Sequence, residues 1–193
     1  MPETRLSRDD WVNLAIDVLL QDGPDGIAVQ PLARRLDTTK GSFYWHFSSR
    51  EVLLGAALQR WEAAATDAAI EAIESQSADP HEKAALLITE ITNRCHENPG
   101  ELLMLAGASH PDVGSAVERV SWRRIDYLAR LLRAEGLTPA VAHRRATIGY
   151  AACIGHAQLA HAVPAVLPTS PRGRRALAAE MSEILLKSID AHA

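Results

Sequence analysis

Cysteine is nearly missing from this chain, whose 193 residues include only Cys95 and Cys153. Neither belongs to a CxxC pair or stands beside other metal ligands, which excludes a disulfide-stapled scaffold and a zinc-finger framework. Both read as buried structural thiols in helical surroundings. The short motifs of common enzymes are missing too: there is no G-x-S-x-G, no H-E-x-x-H, no phosphate-binding loop and no Cys–His pair. Scattered acids such as Glu90, Glu97 and Glu118 do not make a site by themselves, so the chain is read as a non-enzyme. No alternating β-branched run of useful length occurs, which leaves an all-helical fold.

An excess of positive charge is also lacking, since the net charge is -4. Within residues 1–60, Arg5, Arg8, Arg34, Arg35, Lys40, Arg50 and Arg60 face eight acids, Glu3, Asp9, Asp10, Asp17, Asp22, Asp25, Asp37 and Glu51. A sequence-blind binder of nucleic acid would be basic overall. Any phosphate contact must instead come from cations gathered on one face. The N-terminus lacks the basic-then-apolar pattern of a signal peptide, so the expected location is cytoplasmic. The most apolar run, residues 146–163, carries Tyr150, His156, Gln158 and His161, which suits a buried bundle helix better than a membrane span.

What is present is helical periodicity almost throughout. Ser7 and Asp10 make a capping box ahead of Trp11, Leu14, Ala15, Val18 and Leu19, which share one face. Gly23-Pro24-Asp25-Gly26 ends that helix, and Pro31 suits the first position of the next. Ser48 with Glu51 forms a second capping box. A long helix then runs through Trp61 towards Glu74, and a loop over 75–79 follows. Further helices are expected at about 80–97, 101–108, 113–135, 139–162 and 172–189. Asn98-Pro99-Gly100, Gly136 and the prolines of 163–171 separate them.

The densest chemistry lies in Leu32-Ala33-Arg34-Arg35-Leu36-Asp37-Thr38-Thr39-Lys40-Gly41-Ser42-Phe43-Tyr44-Trp45-His46-Phe47. It reads as two short helices joined by a tight turn. Asp37 stands where a left-handed residue is needed, and Thr38 or Thr39 caps the second helix. Leu32, Leu36, Phe43 and Phe47 fall at core spacing. Lys40 and Arg50 are candidates for phosphate, with Gln30 a further one. Thr39 and Ser42 offer hydroxyls, and Gly41 allows close approach. Tyr44, Trp45 and His46 form an aromatic face that can reach base edges or a thymine methyl. A helix-turn-helix lays such a helix in the major groove of DNA.

These residues resemble the TetR family of bacterial one-component transcriptional repressors. Lys40-Gly41-Ser42-Phe43-Tyr44-Trp45-His46-Phe47 follows that family's recognition-helix pattern, and Asp37 stands where the family usually has Gly. The family's next helix usually opens with a phosphate-contacting Lys, a place taken here by Arg50. The resemblance implies a DNA-binding domain over residues 5–52, with the helix-turn-helix at about 28–47. A helical ligand-binding and dimerisation domain would occupy 53–193. It also implies a homodimer on a double-stranded palindromic operator, released when a small-molecule effector binds. Activation in place of repression would use the same residues. From other classes, the alternatives are a helical small-molecule-binding protein or enzyme with a degenerate helix-turn-helix, and a protein-interaction module, which would be expected to lose the polar set that is retained here.

The last two long helices of that family pair into a four-helix dimer interface. Here the penultimate helix carries a small-residue stripe of Gly149, Ala152, Cys153, His156, Ala160 and Val163. The final helix carries Leu177, Met181, Ile184, Leu185 and Ser188. The effector pocket is expected among Trp61, Leu87, Ile91, Leu103, Trp122, Ile125, Tyr127, Leu128, Tyr150 and Ile154, any of which can equally be core. Arg94, His96, His143 or His156 could meet a charged ligand. His156 and His161 are five apart and do not share a helix face as zinc ligands would. No metal or cofactor is expected.

Overall fold

A computed structural model describes the backbone of residues 6–97 and 100–186 and the side chains of 6–91 and 100–185. The described residues hold ten α-helices and no strand. They are α1 (Arg8–Asp22), α2 (Val29–Arg35), α3 (Lys40–His46), α4 (Arg50–Glu62), α5 (Ala68–Gln76), α6 (Pro80–Glu97), α7 (Gly100–Ala106), α8 (Pro111–Ala134), α9 (Pro139–Ala162) and α10 (Pro171–Leu186). The chain forms two compact units, one of Met1–Ala65 with Leu103–Arg119 and the other of Thr66–Leu102 with Val120–Ala193.

Packing in the first unit therefore runs past residue 52, where the domain boundary was expected. The reason lies on α4, whose Leu53, Leu54, Ala57, Leu58 and Trp61 are all buried at the spacing of one helical face. Its partner α1 buries Trp11, Val12, Ala15, Val18 and Leu19. Each Val and Leu among these removes apolar surface worth about 1.5–3 kcal/mol from water. Met104, Val113 and Ala116 join this unit as buried residues. The loop expected at 75–79 lies within the second unit, and α5 continues to Gln76. Between α4 and α5 the helix widens into a π turn, Ala63–Asp67.

Caps define the helix ends. Ser7 accepts from the Asp10 N–H while the Asp10 carboxylate accepts from the Ser7 N–H at 2.7 Å, the reciprocal box read from the sequence. For α4 the cap is Ser49, which accepts from the Val52 N–H, and not Ser48. Pro31 stands third in α2, still within the first turn where its missing N–H leaves no bond unmade. At the end of α8, Gly136 takes φ +93° and the Leu137 N–H reaches back to the Leu132 carbonyl at 3.3 Å, closing a Schellman motif.

In the second unit Ile73, Ala84, Leu87, Tyr127, Leu128, Leu131, Leu132, Ala142 and Ala146 pack into one cluster drawn from α5, α6, α8 and α9. The α9–α10 stripe expected to face a second copy divides here. Gly149, His156 and Leu185 are buried within the protomer, so they are not surface residues. A Cβ on Gly149 would lie 2.7 Å from Leu185 Cδ1 and 3.3 Å from Leu128 Cδ2, so this glycine is the socket for Leu185. Cys153 is likewise buried. Ala152 and Val163 are exposed, Ala160, Leu177 and Met181 are half-buried, and Ile184 is 64% exposed. The outward face of α9 carries Ile148, Ala152, Gly155 and Leu159 at helical spacing, and the exposed Val163 follows as its C-cap. Ser188 and the side chains of Arg94, Cys95 and His96 lie outside the described residues.

Candidate nucleic-acid interface

The turn between α2 and α3 follows from a helix C-terminus that only a few residue types can close. The Asp37 N–H bonds the Arg34 carbonyl at 3.1 Å and the Thr38 N–H bonds the Ala33 carbonyl at 2.9 Å. That pattern places Asp37 in the left-handed region, at φ +50°, where Asp is among the better-tolerated non-glycine residues. Thr39, in extended conformation, then caps α3 by accepting from the Ser42 N–H at 3.3 Å. The two helices occupy the stretch expected from the sequence.

Of the seven residues of α3, Phe43 alone is buried. Phe43 is fully buried, edge-on to Trp11 and stacked on Phe47, which is also buried. Tyr44 is 60% exposed and Trp45 is 82% exposed. Lys40, Gly41 and Thr39 are exposed, and Ser42 and His46 are half-buried. A depression of about 350 Å³ is lined by Leu6, Thr39, Gly41, Ser42, Trp45 and His46. Gln30, Arg34 and Arg35 are exposed on α2. Arg8 extends over the Phe47 ring at 4.8 Å from its centroid, which places a further cation beside α3 that the sequence reading did not single out. Its signal was its place in the first turn of α1, next to the capping box.

Two acids of α1 are already engaged. Asp9 pairs with Arg60 at 2.5 Å. The Ser7 backbone N–H and hydroxyl, with a weaker contribution from the His46 imidazole, hold the Asp10 carboxyl below the usual carboxylate range. Asp9 is thus ion-paired, whereas Asp10 stays ionised at the N-terminus of α1.

Arg50, expected at phosphate, makes contacts within its own chain. Its Nε donates to the Ile27 carbonyl at 2.5 Å and its Nη2 donates to the Pro24 carbonyl at 2.6 Å. Two nitrogens of the guanidinium are thus committed to backbone acceptors of its own chain.

The residues considered for an effector pocket scatter. Trp61 and Leu103 belong to the first unit. Leu87, Tyr127 and Leu128 are core, with Ile91 and Ile125 packed against the same cluster. The Tyr127 hydroxyl donates to Glu74 at 2.8 Å, and burial followed by that carboxylate pushes its pKa well up. Trp122 is 56% exposed and stacks on His143 with ring centroids 5.7 Å apart. Tyr150 lies with its hydroxyl 3.1 Å from Ser121, and the buried Arg124 pairs with Glu101 in the same unit. Ile154 is half-buried. Among the described residues no group of His, Cys, Asp or Glu is arranged to hold a metal, and no helix is long and apolar enough to cross a membrane.

Fold and site together define a helix-turn-helix protein with a second helical unit. Residues 12–57 match the family described as bacterial regulatory proteins, tetR family. The chain is 36% identical over 53 residues to the tetracycline repressor protein class A from transposon 1721 of Escherichia coli, a match that covers 28% of this chain and 24% of that protein. It thus spans about a quarter of the length of the curated relatives it matches. The fold is shared much further. The reduced form of E. coli NemR superposes with a TM-score of 0.75 at 21% identity, over 92% of this chain and 96% of that one. The Bacillus subtilis transcriptional regulator FadR, solved in complex with stearoyl-CoA, gives 0.62 at 16% identity over 95% and 100%. Residues 12–57 thus carry the tetR-family match, and beyond them the likeness is one of fold.

Proposed function

We propose that this chain is a dimeric, sequence-specific DNA-binding transcription regulator, a repressor released from a palindromic operator by a small molecule. One observation carries it: a correctly capped α3 buries Phe43 and leaves Lys40, Tyr44 and Trp45 on an open face. Large aromatic surface on a short helix costs free energy to leave in water and serves contact with a partner. Gly41 supports the same reading. A Cβ there would meet only Thr39 Oγ1, at an ordinary 3.4 Å, so the fold itself does not require the glycine, whose presence in a helix costs about 1 kcal/mol. Close approach by another molecule gives it a purpose.

In this reading residues 5–52 dock on DNA. Tyr44, Trp45 and His46 read base edges, while Gln30, Thr39, Lys40 and Ser42 contact phosphate. Arg8 adds to the cationic rim. The remaining residues pair two copies and hold the effector. Pairing uses the outer residues Ile148, Ala152, Leu159, Val163 and Ile184, with Ala160, Leu177 and Met181 at the margin. The chain works in the cytoplasm, where its operator is. An effector acts by binding the released pose more tightly than the bound one. Support for a small-molecule site comes from the polar group of Arg124, Glu101, Tyr150 and Ser121 set among alanine-rich helices.

Selection of bound duplexes from a random pool tests the proposal at near-physiological salt. A recovered palindrome is the expected result. Failure to enrich any sequence, with protein shown to be folded and dimeric, would remove it.

A further inference from the structure

Arg50 is the first residue of α4, and its side chain does not point to open solvent. Nε donates to the Ile27 carbonyl and Nη2 to the Pro24 carbonyl, at 2.5 and 2.6 Å. These acceptors lie at the two ends of the 3₁₀ turn Pro24–Gly26, whose own closing bond runs from the Ile27 N–H to the same Pro24 carbonyl at 3.2 Å. Pro24 and Ile27 are both buried. A planar guanidinium reaches the two carbonyls from two separate nitrogens in a rigid fork, which a single ammonium nitrogen does not reproduce. Loss of the fork would leave the Ile27 carbonyl short of a donor and the Pro24 carbonyl with the Ile27 N–H alone.

The turn that Arg50 grips feeds directly into the helix-turn-helix, since α2 begins at Val29. Its other side is also fixed. A Cβ on Gly107 would lie 3.2 Å from Pro24 Cδ and 3.6 Å from Val113 Cγ1, so the backbone of the 3₁₀ turn Gly107–Ser109 rests on the Pro24 ring. All of these residues belong to one compact unit. The Pro24–Gly26 turn is therefore held by a fork from α4 on one side and by a glycine seat on the other.

We infer that Arg50 is a positioning residue for DNA binding, holding the start of α2 at a fixed distance from α4 through the Pro24 and Ile27 carbonyls, and is not a phosphate contact. The inference rests on the DNA-binding reading for its consequence but not for its geometry. A phosphate contact and a positioning fork separate on charge. Arg50→Lys keeps the positive charge and loses the fork, whereas Arg50→Gln loses both.

The experiment measures affinity for the selected duplex against salt for wild type, Arg50→Lys, Arg50→Gln and Lys40→Ala, together with exchange of the Arg50 Nε–H by NMR in the DNA-free protein. Arg50→Lys and Arg50→Gln should bind equally weakly, about 10- to 100-fold below wild type, with the wild-type salt slope retained. Lys40→Ala should flatten the slope by about one unit. In the DNA-free protein the Arg50 Nε–H should exchange slowly, and Gly107→Val should speed it. Near-wild-type affinity for Arg50→Lys, with a slope flattened by about one unit for Arg50→Gln, would overturn the inference. A fast-exchanging Nε–H would overturn it without DNA. A slow one in a protein that binds no duplex would keep the fork and sink only the DNA-binding reading.

Discussion

Trp11 and Phe43 meet edge to face, with ring centroids 5.3 Å apart and planes inclined at 73°. Both are fully buried, and the contact ties the first turn of α1 to the middle of α3. Aromatic pairs in this geometry contribute about 0.5–1.5 kcal/mol beyond the area they bury. α3 has only seven residues, too few to be stable as an isolated helix, so its orientation comes from this anchor.

Neighbours in sequence should therefore behave oppositely. Phe43→Ala should cost about 3–5 kcal/mol of stability, read as a fall in the denaturant midpoint. Trp45→Ala and Tyr44→Ala should leave that midpoint unchanged and weaken duplex binding by about 1–3 kcal/mol each. A destabilised Trp45→Ala would mean that the ring is packed in solution.

Asp37 carries a backbone conformation that disfavours side chains branched at Cβ. Asp37→Val should destabilise by about 1–2 kcal/mol. Asp37→Gly should fall within about 1 kcal/mol of wild type, because relief of the positive φ is offset by the freedom glycine gains in the unfolded chain. Thermal unfolding of the two variants compares them directly.

The Asp10 carboxyl sits below its ordinary range in the folded protein, through the Ser7 N–H and hydroxyl first and the His46 imidazole last. A group lowered on folding adds stability above its unfolded pKa, near 3.9, and loses it as pH falls through the lower folded value. Asp10→Ala should thus be less stable than wild type at neutral pH. The two unfolding curves should converge as acid is added below about pH 4. A difference that persists undiminished at pH 2 would assign the loss to packing.

Charge on the outer face of α9 or α10 should separate copies without unfolding them. Ile148→Glu and Ile184→Glu should each sediment as monomers at concentrations where wild type is a dimer, with helicity unchanged. Leu185→Ala should instead lower stability by about 2–5 kcal/mol, since that side chain fills the socket over Gly149. Dimers that survive both glutamates would locate the pairing surface elsewhere.

Local rules made much of the fold legible. Ser7 with Asp10, Thr39, Asp37 and Gly136 each signal a helix end through chemistry confined to four or five residues, and each does so in the structure. Phe43 and Phe47 against Tyr44 and Trp45 could be sorted by helical spacing alone. Long-range decisions were not legible. Nothing near Gly149 in sequence announces Leu185, 36 positions on, so a stripe of small residues could not be divided into an inner and an outer half. Nor does Arg50 reveal that its acceptors are carbonyls 23 and 26 residues earlier. The π turn at Ala63–Asp67 has no compositional mark either, lying in a run of alanines.

The four tryptophans occupy contrasting surroundings, and Trp45 at 82% exposure is the extreme. That gives the protein a built-in optical probe on the face proposed to meet DNA. Trp11 and Trp61, sealed in the interior, should emit at shorter wavelength and resist iodide. Trp45 should emit to the red and be quenched freely until a duplex covers it. Trp122, exposed on the other unit, supplies an internal standard, so one titration would report engagement of α3 without any attached dye.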